Sequence, residues 1–317
     1  MTPQARSGDP LPFKVPSHDT VASIVARDLN SSVETVDEVA VQGGVSRTFV
    51  ARTPGRQLIV RVNEAAELSR FQMEAWAIGH AAAADVPGPQ VASVGIAGEL
   101  AYMIESYIEG PSGDRLSGAE QRSAWREIGR LLKRIHSVPV GGFGEELTDM
   151  SGGGSTKWDR YLDYNLSALD DNDPLLAQGI VDKSTQQKLK ASFERLRSIP
   201  KRFGLSHGDM SLKNVISRDG RLHVIDWGEA NAHFVPHFDF GVILEDSLDR
   251  ASPEFSELLT GYGLDLDGFQ ALEPEITALR LLIRTDKVRW ALDRKPERFA
   301  GRAGDLKRFM KRARWEQ

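Results

Sequence analysis

The sequence contains no cysteine among its 317 residues. That absence excludes a disulfide framework, a thiolate zinc site and a thiol nucleophile. Long apolar runs are also missing, since no stretch approaches the roughly 20 residues that a helix needs to span a bilayer. Residues 1–16 contain several prolines and lack the apolar core of a secretory signal. These absences predict a cytoplasmic protein with no membrane partner.

Two common nucleotide-binding loops are missing as well. The chain has no G-x-x-x-x-G-K-[ST] pattern and no convincing G-x-G-x-x-G fingerprint. Its 40% hydrophobic and 27% charged residues are ordinary for a folded protein, so the chain can form a buried core. The length suggests about two domains.

Acidic residues are outnumbered in the last part of the chain. The net charge of the whole chain is −5, but residues 284–317 contain twelve Lys and Arg against five Asp and Glu. A basic segment can bind nucleic acid or an acidic membrane surface. We favour a packed amphipathic helix without a nucleic-acid partner, because the apolar residues have helical spacing. The residues predicted to face inward are Leu306, Phe309, Met310 and Ala313.

Strand patterns are concentrated in the first third of the chain. Short apolar and alternating runs, separated by turn residues, predict five antiparallel strands with one helix after the third strand. A short helix precedes the first strand. The predicted strands are 36–41, 48–52, 57–62, 91–95 and 101–107, and the predicted helices are 20–29 and 67–84.

Helical patterns dominate the rest of the chain. Six helices are predicted there, and two of them begin with proline, which the first helical turn tolerates. The only clear strand pair in this part is one hairpin near residue 220. The predicted helices are 118–137, 158–169, 184–199, 238–248, 253–262 and 274–292.

The segment of residues 205–230 carries the most specific chemical pattern. Asp209 and Asn214 lie five residues apart on a predicted loop, and Asp226 follows an apolar run twelve residues later. A turn at residues 218–220 predicts a hairpin that brings Asn214 and Asp226 beside each other. Phosphoryl transfer needs such a set, because one carboxylate accepts a hydroxyl proton while an amide and a second carboxylate bind Mg²⁺.

This pattern is similar to the kinase sequence H-R-D-x-x-x-x-N followed by D-F-G. Gly208 stands here in place of the Arg, and Trp227-Gly228 stands in place of Phe-Gly. The variant resembles the aminoglycoside phosphotransferase family, the small-molecule branch of the protein-kinase-like fold. The resemblance covers about residues 20–280, and its strong motifs lie in the segment above.

The resemblance implies an α+β fold with two lobes of the protein-kinase type. A small lobe with five antiparallel strands and one inserted helix would bind the nucleotide, and a larger, mainly α lobe would carry the catalytic hairpin and the acceptor site. The implied division is a flexible lead-in at residues 1–17, a nucleotide-binding lobe at 18–108 and a catalytic lobe at 109–317. The implied activity is Mg²⁺-dependent transfer of the γ-phosphate of ATP to a hydroxyl of a small molecule such as an aminoglycoside-like antibiotic, and GTP stays open as the donor.

The catalytic roles follow from this scheme. Asp209 is the predicted general base, and Asn214 and Asp226 are the predicted Mg²⁺ ligands. His207 is expected to hold the loop by hydrogen bonds rather than to react. The resemblance implies that Asp239 braces the catalytic loop from the helix that follows the metal-binding segment.

The nucleotide roles fall on the small lobe. Gly43 and Gly44, followed by Ser46, form a turn between two strands, and backbone without a Cβ can lie close to phosphates. By resemblance, the residues that connect the lobes form the hinge, where the Ser106 carbonyl and the Ile108 N–H would meet the edge of adenine.

A buried ion pair is expected beside the phosphates. Arg61 stands on the third strand, where protein kinases use Lys, and a guanidinium can contact phosphate oxygens with two N–H groups. Glu74 on the next helix is the predicted partner of Arg61. Glu64 and Glu67 stay open as alternative partners.

Acidic residues follow the metal-binding segment and suit a cationic acceptor, although a solvated surface helix has the same composition. The residues of this predicted acceptor site are Glu229, Glu245, Asp246 and Asp249.

Three other functions stay open at this point. A metabolic kinase for an amino alcohol or a sugar would use the same catalytic residues. A protein kinase is less favoured, because no A-P-E-like segment follows Asp226. A pseudoenzyme or scaffold that binds nucleotide without turnover would not need the complete set of Asp209, Asn214 and Asp226. The sequence does not indicate the oligomeric state.

Overall fold

The computed structural model describes residues 15–39, 46–144, 147 and 154–313. The first part of the chain forms two helices and five strands, and the rest is mainly helical. The elements of the first part are α1 (His18–Leu29), β1 (Thr35–Glu38), β2 (Arg47–Thr53), β3 (Arg56–Glu64), α2 (Leu68–Ala83), β4 (Val91–Ala97) and β5 (Leu100–Ser106). Those of the second part are α3 (Gly118–Ile135), α4 (Gly154–Ser167), α5 (Pro174–Ala177), α6 (Lys183–Arg195), β6 (Phe203–Ser206), β7 (Val215–Arg218), β8 (Arg221–Val224), β9 (Asn231–Phe234), α7 (His237–Asp246), α8 (Pro253–Tyr262), α9 (Leu266–Arg294) and α10 (Phe299–Arg312).

The five strands of the first part form one antiparallel sheet in the order β1-β2-β3-β5-β4, and α2 is inserted between β3 and β4. In the second part, β7 and β8 form the predicted hairpin. These observations confirm the predicted α+β fold, in which a five-stranded sheet adjoins a larger helical part.

The sheet has one apolar face and one face with polar groups. Phe49, Val60 and Ile104 are buried on the apolar face, in a cluster with residues of α1. Successive side chains of a strand point to opposite faces. Arg61 and Glu105 therefore lie on the other face, which borders the cleft described below.

Two apolar clusters hold the helical part together. The first contains Trp125 of α3 and Phe255 of α8, and it extends to Phe71 of α2. The second contains Trp158 of α4 and Phe193 of α6. Because the first cluster includes residues from the inserted helix of the small sheet and from the large helical part, apolar packing joins these two parts.

The predicted start of the longest helix is wrong. We expected a helix to begin at Pro274, but α9 begins at Leu266 and contains Pro274 in its interior. The Asp265 side chain accepts a hydrogen bond from the Gly268 N–H (2.7 Å) and caps the helix eight residues earlier than predicted. The other proline prediction is confirmed, since α8 begins at Pro253.

The prediction of a single strand pair in the second part is also wrong. β6 and β9 form a second antiparallel pair. Each has only four residues, and they are not neighbours in sequence. A pairing of this kind depends on the folded arrangement of the intervening hairpin, so neither local alternation nor a turn signal reveals it.

The basic C-terminal segment forms the predicted helix, α10. Leu306 and Met310 are buried in the second apolar cluster, and Phe309 packs against that cluster. The Arg284 guanidinium lies 4.4 Å from the centre of the Phe309 ring. The prediction for Ala313 is wrong, because this residue follows the last helical residue and is exposed.

Three further predictions concern the ends and divisions of the chain. None of the helices in the described ranges is long and apolar enough to cross a membrane. Most of the predicted flexible lead-in lies outside the described residues, and Ser17 at its end caps α1 by accepting a hydrogen bond from the Thr20 N–H (3.1 Å). The division after residue 108 stays a prediction.

Replacement of Leu306 by Ala tests the packing of α10. The change removes part of a fully buried side chain, so we expect the free energy of unfolding to fall by about 2–5 kcal/mol. Chemical denaturation measures it, and the exposed Lys311→Ala on the same helix is a control expected to change it by less than about 0.5 kcal/mol. Equal effects of the two substitutions would contradict the packing. The alternative is that the basic segment binds nucleic acid. It would be supported if truncation after Gly304 abolished a salt-sensitive interaction with nucleic acid and left the stability unchanged.

Candidate active site

A cleft of about 370 Å³ lies between the polar face of the sheet and the β7–β8 hairpin. Half of the residues predicted to act in the site, among those that the structure describes, border this cleft. Its walls are formed by Ser46, Thr48, Ile59, Arg61, Arg70, Pro89, Glu105, Ser106, Tyr107, Ile108, Asp209, Ile216, Ile225, Asp226, Gly228 and Glu229.

A fully buried carboxylate holds the loop that carries Asp209. Asp239, in the first turn of α7, accepts hydrogen bonds from the Ser206 hydroxyl (2.8 Å) and from the backbone N–H groups of His207 (3.2 Å) and Gly208 (2.8 Å). His136 Nε2 lies 2.8 Å from the same carboxylate. Burial acts to raise the pKa of Asp239, but the His136 and Gly208 hydrogen bonds hold it below its ordinary value.

His207 ties the loop to the segment that follows the hairpin. Its Nε2 lies 3.1 Å from the Ile225 carbonyl oxygen, and its Nδ1 accepts a hydrogen bond from the Asp209 N–H (3.3 Å). A carbonyl oxygen can only accept, so Nε2 carries the proton in this arrangement. Its ring also packs against buried Trp227, with ring centres 4.9 Å apart. Both ring nitrogens thus make hydrogen bonds that orient the loop.

Gly208 has a backbone requirement that explains the departure from the kinase pattern. Its φ is +82°, in the region that favours glycine. A Cβ on Gly208 would lie 2.2 Å from the Glu229 carbonyl oxygen, so the backbone of the loop passes too close to the next segment for any side chain. An Arg at this position would therefore disrupt the contact between the two segments.

The hydrogen bonds of Asn214 orient its side chain relative to Asp209. The Asn214 Nδ2 donates to the Asp209 carbonyl oxygen (2.7 Å) and to Asp209 Oδ2 (2.9 Å). Since the amide nitrogen is occupied, the amide oxygen is the group that can bind a cation. Lys213 Nζ lies 3.3 Å from Asp209 Oδ2.

The hairpin brings Asp226 close to Asn214 along the backbone. Val215 pairs with Val224, and the Ile225 N–H donates to the Asn214 carbonyl oxygen (3.0 Å), which leaves Asp226 as the next residue. Asp226 has a φ of +61°, a left-handed conformation that short polar residues tolerate better than most. This turn directs the chain out of the hairpin at the border of the cleft.

The oxygen donors fit a magnesium ion that is shared with a nucleotide. Among the described residues, no three His, Asp or Glu side chains group as a complete metal site. Mg²⁺ commonly takes one or two protein oxygens and completes its shell with phosphate oxygens and water. One carboxylate from Asp226 and one amide oxygen from Asn214 match that demand.

Arg61 and Glu74 form the ion pair at the back of the cleft. Glu74 is buried, and the Arg61 guanidinium lies 5.7 Å from the centre of the Phe71 ring. Burial acts to lower the pKa of Arg61, but the charges of Glu74, Asp226 and Glu105 raise it. Arg61 is therefore a fixed cation beside Asp226.

The predicted nucleotide residues are only partly described. Gly43 and Gly44 lie outside the described residues, whereas Ser46, Ser106 and Ile108 border the cleft. The Ser106 N–H donates a hydrogen bond to the backbone carbonyl oxygen of Gln90, the residue before β4 (2.9 Å). For the Ile108 N–H, no acceptor occurs in the described part of the chain, so this group can bind a ligand.

The four predicted acceptor carboxylates do not form one cluster. Glu229 borders the cleft, whereas Glu245, Asp246 and Asp249 line a second cavity of about 490 Å³ beside α7, α9 and α10. Burial, and then the charges of Glu245 and Asp209, raise the pKa of Asp246, so Asp246 is within electrostatic reach of Asp209.

Two arginines compensate the charge of Glu245, whereas Glu229 is paired with one arginine, Arg70. The Glu245 carboxylate is 7% exposed and binds both Arg280 and Arg284. The predicted acceptor site is therefore less acidic than the sequence suggests.

For three residues of the site, the sequence did not indicate the contacts that they make. His136 contacts Asp239 and, through Nδ1, the Tyr262 hydroxyl (2.9 Å). Arg70 donates to the Gly228 carbonyl oxygen (3.0 Å) from α2. Glu105 is the first residue of the predicted hinge, residues 105–108, and it lines the cleft. The strand alternation that places Arg61 in the cleft could have indicated Glu105, but no local pattern indicates the other two.

Comparisons with known proteins point to one family. A model of the phosphotransferase enzyme family matches residues 38–274. Streptomycin 3''-kinase of Streptomyces griseus is 25% identical over 277 residues, which cover 80% of this chain and 93% of that kinase.

Solved structures share the fold. A thermostable mutant of aminoglycoside phosphotransferase APH(4)-Ia, in ternary complex with AMP-PNP and hygromycin B, is similar with a TM-score of 0.62 and 22% identity, covering 92% of this chain and 98% of the other. A putative fructosamine-3-kinase from Haemophilus somnus is similar with a TM-score of 0.59 and 10% identity, covering 93% and 97% of the two chains.

The pH dependence of stability tests the environment of Glu105. Burial, more than any charge, raises the pKa of Glu105 to about 7, so its carboxyl group is protonated in the folded protein at lower pH. This raised pKa favours the folded state below the ordinary pKa of Glu, and the benefit is lost as the pH rises through about 7. We expect the melting temperature of the unaltered protein, relative to that of Glu105→Gln, to fall between pH 5.5 and 8.5.

The exposed Glu109→Gln provides the matched control for this measurement. Its melting temperature should follow that of the unaltered protein across the same range. A Glu105→Gln variant with the same pH profile as the control would contradict the raised pKa.

Proposed function

The chain belongs to the phosphotransferase enzyme family, and from that membership we propose that it transfers the γ-phosphoryl group of ATP to a hydroxyl of a small cationic acceptor of the aminoglycoside type. The observation that supports the proposal is that Asp209, Asp226 and Arg61 line one cleft, while Asn214 is hydrogen-bonded to Asp209 and Glu74 is paired with Arg61. Phosphoryl transfer depends on positioning and charge stabilisation, and these residues supply both.

Asp209 is the proton acceptor in this proposal. Its Oδ2 is held by Asn214 Nδ2 at 2.9 Å, and its backbone is fixed through His207. The carboxylate would orient the acceptor hydroxyl and take its proton as the hydroxyl oxygen bonds to the γ-phosphorus, while the bond from that phosphorus to the bridging oxygen breaks and ADP leaves. Lys213, 3.3 Å from Oδ2, supplies positive charge on the same side.

Asn214 and Asp226 are the proposed ligands of Mg²⁺. When bound, the ion would neutralise charge on the phosphate oxygens. Arg61 would contact phosphate oxygens from the opposite wall, and Glu74 would hold its guanidinium in place. The Ile108 N–H is the proposed donor to the adenine edge, with the Ser106 carbonyl as the nearby acceptor. The turn with Gly43 and Gly44 stays the predicted cover of the phosphates.

The charge of the acceptor region supports a cationic substrate. Asp246 adds negative charge near Asp209, and its own pKa is raised by burial and by the charges of Glu245 and Asp209. Streptomycin 3''-kinase is a relative of the chain, and solved structures of similar fold contain hygromycin B or spectinomycin. These comparisons support an antibiotic of this class as the acceptor.

One observation favours a less cationic acceptor as a second candidate. Arg280 and Arg284 compensate Glu245, so the second cavity contains arginine as well as carboxylates. A metabolic sugar or amino alcohol kinase would suit this balance, and a putative fructosamine-3-kinase shares the fold. A pseudoenzyme is disfavoured by the complete catalytic set. A cytoplasmic location and the absence of a nucleic-acid partner stay predictions.

An acceptor panel tests the proposed function. The protein is incubated with Mg²⁺ and ATP or GTP, together with streptomycin, hygromycin B, spectinomycin, a fructosamine and an amino alcohol. Mass spectrometry then detects a gain of one phosphoryl group. We expect ATP-dependent modification of an aminocyclitol antibiotic. Modification of the sugar derivative or the amino alcohol alone would support the second candidate, and nucleotide binding without any product would support the pseudoenzyme.

The substitution Asp209→Asn separates chemistry from binding. The amide keeps the shape of the side chain but cannot accept the hydroxyl proton, so we expect kcat to fall by at least roughly 10²-fold. The affinity for ATP, measured by calorimetry, should stay similar because Asp209 contacts the acceptor rather than the nucleotide. Near-normal turnover would remove Asp209 from the role of base.

A further inference from the structure

Arg70 connects the small sheet's inserted helix to the segment after Asp226. It lies in the first turn of α2, one turn before Glu74. Its Nη2 donates to the Gly228 carbonyl oxygen (3.0 Å) and to Glu229 Oε1 (3.2 Å). These contacts join residues that are 158 and 159 positions apart in sequence, so they link the inserted helix of the small sheet to the larger part of the molecule at the border of the cleft.

Arg70 contacts the backbone close to the charged side chains of Arg61 and Asp226. A Cβ built on Gly228 would lie 3.6 Å from Asp226 Oδ1 and 3.7 Å from Nη2 of both Arg61 and Arg70. The side chains of Asp226, Arg61 and Arg70 therefore all lie close to Gly228.

Helix α2 contains both Glu74, the partner of Arg61, and Arg70, the partner of the Gly228 carbonyl oxygen. Glu74 holds Arg61, and Arg70 holds the backbone that follows Asp226. A shift of α2 would move the Arg61 partner and the Gly228 contact together. A guanidinium suits this position, because its planar fork can donate to a carbonyl and to a carboxylate at the same time.

We propose that Arg70 is a positioning residue that couples α2 to the Asp226 segment, so that Arg61 and Asp226 take up their nucleotide-binding positions together. Glu229 is the carboxylate partner in this coupling, which gives it a role on the nucleotide side of the cleft. The inference rests on the proposed function, because it assigns the same cleft to nucleotide.

A double-mutant cycle tests the coupling. The variants are Arg70→Gln, Glu229→Gln and the double variant, and calorimetry measures their affinity for ATP with Mg²⁺ in the absence of any acceptor. We expect Arg70→Gln to weaken this affinity by about tenfold or more, as for the loss of one charged hydrogen bond. Glu229→Gln should have a smaller effect, since the Gly228 contact persists. The double variant should bind no more weakly than Arg70→Gln alone.

Two further variants keep the test specific. Arg70→Lys retains the positive charge but lacks the planar guanidinium with its several N–H donors. It should therefore bind ATP more tightly than Arg70→Gln, and it keeps the test valid if Arg70→Gln is poorly folded. Arg52→Gln removes a different ion pair of the small sheet, with Asp37, at 45% exposure of the arginine side chain, and should leave nucleotide affinity unchanged.

The outcomes separate this inference from the proposed function. Unchanged affinity for ATP and Mg²⁺ in Arg70→Gln, with normal transfer by the unaltered protein, would overturn the coupling and leave the function standing. Fully additive effects in the cycle, or a change in acceptor KM alone on Glu229→Gln, would also overturn the coupling. Failure of the unaltered protein to bind ATP would overturn both.

Discussion

The buried carboxylate of Asp239 is the constraint on which the candidate site depends. It gathers a hydroxyl and two backbone N–H groups from the end of β6 and the loop after it, and it meets the His136 ring from the end of α3. Burial of an unpaired carboxylate costs several kcal/mol, and only a complete set of donors offsets that cost. The loop backbone is therefore restricted to conformations that keep these donors in place, and Asp209 is the next residue along the chain.

From this fixed loop, short-range contacts build the rest of the site. His207 links the loop to Ile225, and Asn214 reaches Asp209 from the start of the hairpin. The opposite wall comes from a sheet whose apolar face is buried, so its polar face must border the cleft. The chemistry proposed for the protein thus arises where a hydrogen-bonded loop of the large part faces the strand of the small sheet that carries Arg61.

Sequence patterns predicted the features that depend on local order. The five strands and the hairpin between Asn214 and Asp226 have local or periodic signals, and the pairing of Arg61 with Glu74 was indicated by the resemblance to kinases. Features that depend on assembly were missed. The β6–β9 pair and the Arg70 contacts join distant residues, the cap at Asp265 overrides the proline signal, and the compensation of Glu245 comes from another helix.

The most direct test of this account measures the loop when the buried carboxylate is altered. The Asp239→Asn substitution replaces one acceptor oxygen by an N–H₂ donor. Some of the groups that now donate to Asp239 would then face another donor and lose their acceptor. Hydrogen exchange at residues 206–209 and kcat are compared with those of the unaltered protein. We predict faster exchange in the loop and a fall in kcat of about 10²-fold or more, because small displacements of reacting groups have effects of that size. A protected loop with near-normal kcat would contradict the claim that Asp239 positions the site.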